Sequence, residues 1–268
     1  MLVRITGFNL ELTAASGQCF RFVPATKGAC LLTAGNRRVM ICEAGDDLFD
    51  FSCTEEEFKA VWHGYFDLGT DYMRIMDMVP PDGSFLSEAV AYARGLRILR
   101  QEPFETLISF ILSQRKSIPA IRNCVERLCE KFGRRLSEDF FAFPEPAALM
   151  EAGEEGLLSC GLGYRAKYVR KTAEMIAMER VSLEGMRRLP DAELLGELTQ
   201  LPGVGVKVAS CVMLFAYHRL DAFPVDVWID RVLRQNYPEG FPFERYIGVS
   251  GILQQQLFCY ARWLAGKS

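Results

Sequence analysis

The N-terminal part of the chain alternates between short apolar or β-branched runs and turn-forming residues. Gly, Asn and Asp separate the runs, and each run is long enough for one strand. This pattern predicts a small antiparallel sheet. The predicted strands lie within Cys19–Pro24, Ala29–Thr33, Arg38–Cys42 and Leu48–Cys53.

Helical periodicity replaces this alternation after Cys53. Thr54 and Glu57 match a capping box, in which the Thr hydroxyl and the Glu side chain satisfy free N–H groups at a helix start. Further apolar stripes are joined by Pro- and Gly-rich stretches, and Gly133 is positioned to end one of them. The stripes are Phe58, Val61, Trp62 and Tyr65; Phe104, Leu107, Ile108 and Ile111; Ile121, Cys124, Val125, Leu128 and Phe132; and Tyr168, Val169, Thr172, Ala173 and Ile176.

A Pro-Pro-Asp-Gly break at residues 80–83 predicts a seam between two domains. We expect an N-terminal antiparallel sheet domain with flanking helices over residues 1–82, and a mainly α-helical bundle over residues 83–268. Inside the bundle, two helical patterns joined by a glycine-containing turn predict a helix-hairpin-helix motif over residues 192–216. The sequence therefore predicts an α+β fold.

Composition narrows the chemistry that this fold could carry. The 268 residues include 31 basic and 34 acidic ones, a net charge of −3, which excludes a polycation that coats nucleic acid but not a local DNA site. The nine cysteines form no Cys-x-x-Cys pair, and only two histidines are present, which argues against a disulfide framework, a zinc site and a Ser-His-Asp triad. The chemistry is therefore expected from Lys, Asp, Glu or Cys side chains.

The N-terminus shows no charged leader followed by an apolar stretch. No apolar run approaches the ~18–20 residues that span a bilayer. We therefore expect a cytoplasmic protein that does not contact a membrane.

The turn Leu201-Pro202-Gly203-Val204-Gly205 is the most informative stretch. It could adopt positive φ at each glycine, bury Val204 and direct unpaired N–H groups outward at the start of the second helix. Together with the helix dipole, those groups form a phosphate-sized anion site. The alternative is an ordinary helical hairpin with glycine in its turn.

Lys207 lies in the first turn of that second helix, where the helix dipole disfavours a cation. Partial desolvation by Val206, Val208 and Cys211 is expected to weaken its hold on the proton, which would leave some neutral amine as a nucleophile. The alternative is a solvated lysine that contacts a phosphate of a bound strand.

Asp226 lies in Phe223-Pro-Val-Asp-Val-Trp228, directly before a helical pattern. Its default interpretation is a helix N-cap. A carboxylate held by helix N–H groups also stays ionised and rigid, and so could stabilise positive charge on a sugar as a glycosidic bond breaks.

These motifs resemble a known superfamily. Leu-Pro-Gly-Val-Gly-x-Lys followed by Pro-Val-Asp is similar to the helix-hairpin-helix-GPD superfamily of DNA base-excision glycosylases, in which the lysine marks bifunctional glycosylase/lyase members. Within that superfamily, the chain is similar to the 8-oxoguanine DNA glycosylases. The supporting segments are Ser16-Gly-Gln-Cys-Phe-Arg21, Ile121 to Gly133, and Gly161-Leu-Gly-Tyr-Arg-Ala-Lys-Tyr168.

The resemblance implies a role for each matching residue. Lys207 attacks the sugar C1′ and forms a Schiff base, and Asp226 supports that step electrostatically. The Gly17 carbonyl accepts the N7–H that 8-oxoguanine has and guanine lacks. For the extruded base, Gln254 matches the residue that hydrogen-bonds the pairing edge, while Phe258 and Cys211 match those that stack on its two faces.

Several matching positions concern the DNA strands. Tyr164 matches a wedge residue, and Arg165 matches a neighbour of the unpaired opposite base, within a stretch of four basic residues and no acidic one. Arg115 stands where eukaryotic relatives use Asn as a second wedge, and Ala120 stands where they have an arginine that reads the opposite cytosine, so we expect weaker opposite-base selectivity. Trp228 replaces a phosphate-side histidine. The hairpin residues Gly203, Val204 and Gly205 are expected to bind phosphate.

The resemblance implies double-stranded DNA containing 8-oxoguanine as the partner, a monomeric protein and no required cofactor. No side chain is expected to bind a metal, and no iron–sulfur cluster is expected, although the hairpin carbonyls of Leu201 and Val204 could hold a structural Na⁺, K⁺ or Ca²⁺. Two alternatives stay open. One is a monofunctional alkylated-base glycosylase, which would not need Lys207; the other is a non-catalytic helix-hairpin-helix module that only binds DNA.

Overall fold

The computed structural model describes residues 1–267, and its N-terminal part is built on one antiparallel sheet. The strand order across the sheet is β1-β5-β4-β3-β2. The elements of this part are β1 (Leu2–Arg4), α1 (Leu10–Ala15), β2 (Phe22–Thr26), β3 (Ala29–Ala34), β4 (Arg37–Gly45), β5 (Leu48–Phe51), α2 (Glu55–Glu57), a π-helical turn (Phe58–Trp62), α3 (His63–Tyr65) and α4 (Tyr72–Asp77).

Alternating apolar residues hold the sheet against the helices that follow it. Phe22 pairs with Leu32, Leu32 pairs with Val39, and all three are fully buried. Phe51 contacts the Phe58 ring at a centroid distance of 5.1 Å. The predicted antiparallel sheet is confirmed, although its second strand begins at Phe22 rather than Cys19, and the short β1 carries too little pattern to have been found.

Half of the predicted capping box at Thr54 is present: the Thr54 hydroxyl accepts the Glu57 N–H at 3.2 Å, while Oε1 of Glu57 accepts the indole N–H of Trp62 at 3.1 Å. The helix that it begins contains a π-helical turn over Phe58–Trp62. Both Phe58 and Trp62 still reach the core of the sheet domain.

Helices make up most of the remaining chain and share one large apolar core. A two-stranded ribbon, β6 (Arg135–Ser137) and β7 (Phe140–Phe141), interrupts them. The helices are α5 (Phe85–Tyr92), α6 (Pro103–Leu112), α7 (Ile118–Phe132), α8 (Pro146–Glu151), α9 (Gly153–Leu158), α10 (Ala166–Ala177), α11 (Leu183–Met186), α12 (Asp191–Thr199), α13 (Val206–Phe215), α14 (Val227–Asn236) and α15 (Ser250–Lys267), with 3₁₀ turns at Gly163–Arg165 and Phe243–Tyr246.

Gly133 ends α7, but not through a left-handed cap. Its φ of −80° and ψ of 152° are extended. A Cβ at this position would collide with the carbonyl of Ala142. Close approach of the backbone, rather than positive φ, therefore requires glycine here.

Buried polar contacts join the residues around the turn before β2 to α7 and to the segment between α5 and α6. The amide nitrogen of Gln18 donates to the Arg97 carbonyl at 2.8 Å, and its oxygen accepts the Leu99 N–H at 2.8 Å. Arg122 of α7 donates to the carbonyls of Ala14 and Phe22 at 3.0 and 3.1 Å. These contacts hold the turn at residues 16–17 beside the helical core.

The division of the chain into residues 1–82 and 83–268 stays a prediction. α5, which follows the Pro-Pro-Asp-Gly break, buries its apolar face in the helical core and packs against α15. Within residues 1–267, none of the helices combines the length and the apolar character needed to cross a membrane.

Candidate active site

A cavity of about 1030 Å³ lies where the turn before β2 meets α6, α13, α14 and α15. Polar and aromatic side chains from separate parts of the chain converge on it, so it could enclose a planar, hydrogen-bonding group. Nine of the residues predicted from the sequence line this cavity: Gly17, Arg115, Tyr164, Lys207, Cys211, Asp226, Trp228, Gln254 and Phe258.

The hairpin between α12 and α13 adopts positive φ at only one of its two glycines. Gly203 has a φ of +79°, whereas Gly205 has a φ of −92° and caps α13. The expectation of positive φ at both is therefore wrong. Val204 is buried as expected, at 6% exposure. The short turn needs a single left-handed residue because the extended Gly205 already leads into the helix.

Close packing also requires glycine at residue 203. A Cβ there would lie 2.6 Å from Cγ of Tyr168, whereas a Cβ on Gly205 would meet no atom within 4 Å. The open space beside Gly205 leaves the start of α13 accessible to a large anion.

Lys207 reaches the cavity from the first turn of α13. Its Nζ lies 5.3 Å from the centroid of the Phe110 ring, within the range of a cation–π contact. Of the three neighbours expected to desolvate the lysine, Val206 is 65% exposed and does not cover it, whereas Val208 and Cys211 are buried and the Cys211 thiol interacts with Lys207. The aromatic ring from α6 adds cover that no local pattern around Lys207 could indicate.

Asp226 has the geometry of an N-cap. Its Oδ1 accepts the N–H groups of Trp228 and Ile229 at 2.9 and 3.0 Å. These bonds use one carboxylate oxygen and fix the plane of the group, and Asp226 lines the same cavity as Lys207. The site therefore presents an amine and an oriented carboxylate to one space.

Gly17, Phe258 and Cys211 form apolar walls around this pair. Gly17 has a φ of +79°, and a Cβ on it would lie 2.8 Å from Cδ1 of Ile118 and 3.8 Å from Cε1 of Phe258. Burial raises the pKa of the Cys211 thiol, and the nearby Lys207 opposes that effect only in part. The thiol is therefore neutral at physiological pH and suits a stacking surface.

Gln254 is buried with one half of its amide satisfied. Its Nε2 donates to the Pro224 carbonyl at 2.8 Å. Its Oε1 is buried and has no hydrogen-bond partner among the described residues. Because Gln254 lines the cavity, its amide brings an unused acceptor to the cavity wall.

Two exposed side chains project beside the cavity mouth. Arg115 has a φ of +52° at the loop between α6 and α7, and Tyr164 is 49% exposed in the 3₁₀ turn before α10. A left-handed conformation costs about 1–3 kcal/mol at a non-glycine residue. The loop keeps Arg115 in this left-handed conformation, and the conformation directs its side chain outward.

Arg165 does not face outward as expected for a DNA contact. It is 6% exposed, and its guanidinium donates to the carbonyls of Gln114 and Leu162 while stacking 4.3 Å from the Tyr164 ring centroid. Its structural place is inside the protein, where it supports Tyr164 and the loop that carries Arg115.

Gln114 is a residue that sequence reasoning missed. Its Nε2 donates to the Gly203 carbonyl at 2.9 Å, while its own carbonyl accepts a bond from Arg165. It thus links the hairpin to the two loops that carry Arg115 and Tyr164. A glutamine beside a basic residue gives no local signal of such contacts.

Comparison with known proteins assigns the N-terminal and the C-terminal part of the chain to protein families. Residues 1–107 match the 8-oxoguanine DNA glycosylase N-terminal domain, and residues 108–239 match the HhH-GPD superfamily of base excision DNA repair proteins. The hairpin, Lys207 and Asp226 all lie within the second match.

Individual relatives agree with this assignment. The chain is 35% identical over 275 residues to the probable N-glycosylase/DNA lyase of Methanothermobacter thermautotrophicus, covering 89% of this chain and 85% of that protein. It is 35% identical over 238 residues to an N-glycosylase/DNA lyase of Arabidopsis thaliana, covering 83% and 65%. The 8-oxoguanine glycosylase/lyase of Clostridium acetobutylicum, solved with double-stranded DNA containing cytosine opposite 8-oxoguanine, is 36% identical and superposes with a TM-score of 0.92 over 98% of this chain and 95% of that chain.

Proposed function

Because the chain belongs to the HhH-GPD superfamily and to its 8-oxoguanine DNA glycosylase/lyase family, we propose that the cavity binds an extruded 8-oxoguanine and that Lys207 and Asp226 carry out its removal. The protein is a bifunctional base-excision repair enzyme that acts on double-stranded DNA. The observation that carries the residue assignment is the convergence of the amine, the carboxylate and the base-binding side chains on one cavity.

Lys207 is the nucleophile in this scheme. Its neutral Nζ attacks the sugar C1′, the N-glycosidic bond breaks, and the electron pair leaves with the base, which takes up a proton. Opening of the sugar ring at O4′ then gives a protonated Schiff base. Loss of a proton from C2′ expels the 3′ phosphate by β-elimination and nicks the strand.

Asp226 supports the first step through its charge. Positive charge develops on the sugar as the glycosidic bond breaks, and an ionised carboxylate held in place by two N–H groups stabilises it without first having to reorient.

The base pocket distinguishes 8-oxoguanine from guanine by a hydrogen bond. The Gly17 carbonyl accepts the N7–H that only the oxidised base carries, Gln254 binds the pairing edge, and Phe258 and Cys211 stack on the two faces. Guanine would place the lone pair of N7 against the carbonyl oxygen.

The hairpin binds the backbone of the DNA. We assign a phosphate to the N–H groups around Gly203, Val204 and Gly205 at the start of α13, and a second backbone contact to Trp228. Arg115 and Tyr164 project beside the cavity mouth and insert where the base has left the stack. Opposite-base selectivity is weak because Ala120 cannot hydrogen-bond a base.

A cation at the hairpin belongs to this proposal as well. The Leu201 carbonyl accepts the Val204 N–H at 3.0 Å and retains a second lone pair for a Na⁺, K⁺ or Ca²⁺ ion. The chemistry assigned to Lys207 and Asp226 needs no cofactor. Since the substrate is genomic DNA, we place the enzyme in the cytoplasm, at the nucleoid if the source is prokaryotic.

Neither alternative function is favoured. A monofunctional glycosylase or a DNA-binding module would have no use for an amine and an oriented carboxylate in one cavity, and the three relatives described above, all at least 35% identical, are named glycosylase/lyases.

Borohydride trapping tests the nucleophile. A duplex with a labelled 8-oxoguanine strand is incubated with the enzyme and sodium borohydride, which reduces the Schiff base to a stable amine. We expect a covalent adduct with the wild-type protein and none with Lys207→Gln. As the matched control, Lys27→Gln, which removes an exposed lysine from the turn between β2 and β3, should give as much adduct as the wild type.

The other outcomes of trapping overturn the assignment. An equal yield from Lys207→Gln would exclude Lys207 as the nucleophile. Base release by the wild type without an adduct would indicate a monofunctional enzyme, and DNA binding without base release would indicate a binding module.

A further inference from the structure

Three consecutive glutamines are buried in the middle of α15. Gln254 and Gln255 are each 4% exposed and Gln256 is fully buried. Successive helix residues are rotated by about 100°, so Gln254, Gln255 and Phe258 share one side of the helix while Gln256 points elsewhere. Accordingly, Gln254, Gln255 and Phe258 line the cavity and Gln256 does not. Gln255 therefore belongs to the pocket, although the motif comparison assigned it no role.

A neighbouring carbonyl determines how the Gln255 amide is oriented. Its Nε2 lies 3.5 Å from the carbonyl oxygen of Ser16. A carbonyl oxygen can only accept, so the amide nitrogen must face Ser16, and the reverse orientation would bring two acceptors together. Its Oε1 is then left buried, without a hydrogen-bond partner among residues 1–267.

The Gln254 amide is also oriented by a backbone carbonyl, in this case one in the segment before α14. The Pro224 carbonyl binds its Nε2 and leaves its Oε1 unpaired. A buried amide oxygen without a hydrogen bond raises the free energy of the folded protein. This penalty is removed when a ligand donates an N–H group to the oxygen. Both glutamines that line the cavity thus carry a buried amide oxygen without a donor.

We propose that Oε1 of Gln255 is a second acceptor for the N7–H of the extruded 8-oxoguanine, beside the carbonyl of Gly17. The proposal rests on the function proposed above. Gln255 contacts Ser16, the residue directly before Gly17, so it lies at the side of the pocket assigned to the five-membered ring. One N–H shared between two acceptors is a common three-centre hydrogen bond.

This second acceptor increases discrimination against guanine. Guanine has a lone pair and no hydrogen at N7, so it would leave both Gly17 and Gln255 without a donor. An oxidised purine with N7–H satisfies both. Gln255 is therefore a specificity-determining residue for oxidised purines, distinct from Gln254 at the pairing edge.

A pair of isosteric variants separates this role from a structural one. Methionine has nearly the volume of glutamine but no amide, so Gln255→Met removes the acceptor and Gln256→Met is its control outside the cavity. We expect Gln255→Met to slow single-turnover 8-oxoguanine excision by about fivefold to tenfold, the loss of one hydrogen bond. Its strand cleavage at a preformed abasic site, which has no base, should stay within about twofold of the wild type.

Two results of this comparison would overturn the proposal. One is unchanged excision by Gln255→Met. The other is an equal loss of abasic-site cleavage, which would indicate general disruption of the site. We expect Gln256→Met to leave the ratio of 8-oxoguanine excision to abasic-site cleavage unchanged. If Gln256→Met changed this ratio as much as Gln255→Met does, a specific role for Gln255 would also be contradicted.

A change in the substrate tests the partner atom. In a Lys207→Gln background, dissociation constants are measured for duplexes with 8-oxoguanine or its 7-deaza analogue, which carries C–H in place of N7–H. We expect the analogue to bind about fivefold to tenfold more weakly, and Gln255→Met to remove a large part of that difference. If the ratio of the two dissociation constants were the same with Gln255 and with Gln255→Met, N7–H would be excluded as the partner of Gln255. Cleavage by Lys207→Gln itself would contradict the proposed nucleophile and leave this comparison intact.

Discussion

Asp226 combines a role in the fold with the role that we propose for it in the reaction. Its carboxylate caps α14 through two N–H groups, and the same bonds hold it at the cavity wall. The sequence motif predicted both properties, because an N-cap aspartate after an extended Pro-containing segment has few other conformations available.

Asp226→Asn separates the two properties. Asparagine caps helices about as well as aspartate, so we expect the free energy of unfolding to change by less than about 1 kcal/mol. The variant loses the negative charge, and base excision should slow on the order of 100-fold. Thermal unfolding and single-turnover excision measure the two effects. Excision within threefold of the wild type would show that the charge does not support the reaction.

Residues whose contacts come from distant segments were predicted least well. Lys207 was expected to be desolvated by Val206, Val208 and Cys211, but Val206 is exposed and Phe110 of α6 lies over the amine. Arg165 was expected at the DNA surface, but Gln114 and Leu162 hold its guanidinium inside the protein. In both cases one contact, from Phe110 or from Gln114, lies outside the local motif.

At the scale of elements, the hairpin between α12 and α13 depends on its packing against α10. Gly203 combines a left-handed backbone with close approach to Tyr168, whereas Gly205 is extended and faces open space. The two glycines look equivalent in the sequence and differ in the structure.

Alanine substitutions should distinguish these glycines. We expect Gly203→Ala to lower the free energy of unfolding. The strained left-handed conformation costs about 1–3 kcal/mol, and the contact of the new Cβ with Tyr168 adds to that cost. Gly205→Ala adds a Cβ to an extended N-cap and should cost at most about 1 kcal/mol. Denaturant unfolding of both variants checks this, and similar losses would contradict the difference in packing.

At the scale of the whole molecule, a buried carboxylate connects the two parts of the chain. Asp67, in the loop after α3, accepts bonds from Arg100 at 2.6 Å and Tyr72 at 3.1 Å, and its Oδ2 lies 3.1 Å from Nε2 of His218 beyond α13. Burial opposes its ionisation, but His218 and Arg100 outweigh burial and lower the pKa of Asp67 to about 2.

The lowered pKa of Asp67 makes stability depend on pH. Because the folded-state pKa lies below the ordinary value of 3.8, the ionised group contributes stability that is complete above about pH 4 and is lost as the pH falls through about 2. The shift corresponds to about 2 kcal/mol. We therefore expect Asp67→Asn to be less stable than the wild type at pH 7, with most of that difference gone near pH 2.

Denaturant unfolding of both proteins between pH 7 and pH 2 measures this dependence. Asp77→Asn is the control, because Asp77 is an exposed carboxylate that also faces an arginine. Its profile should follow the wild type. A stability difference between Asp67→Asn and the wild type that stays constant over the whole range would contradict the role of the ionised carboxylate.

The charge distribution adds a further property of the whole molecule. Residues 1–99 hold 9 basic and 13 acidic residues, and the rest of the chain holds 22 and 21. The acidic excess thus belongs to the sheet part, and a net charge of −3 is compatible with a DNA enzyme whose phosphate site is assigned to backbone N–H groups.

The sequence by itself predicted the fold class and the family, and it supplied the residues to which we assign the reaction. Alternation, caps and the Leu-Pro-Gly-Val-Gly-x-Lys motif are local patterns, and local patterns are set by nearby residues. Only the tertiary structure decided which glycine of the hairpin is left-handed, which ring covers Lys207, and that Gln255 lines the cavity. Those features depend on contacts between segments far apart in the chain, and Ser16 and Gln255 meet only once the chain has folded.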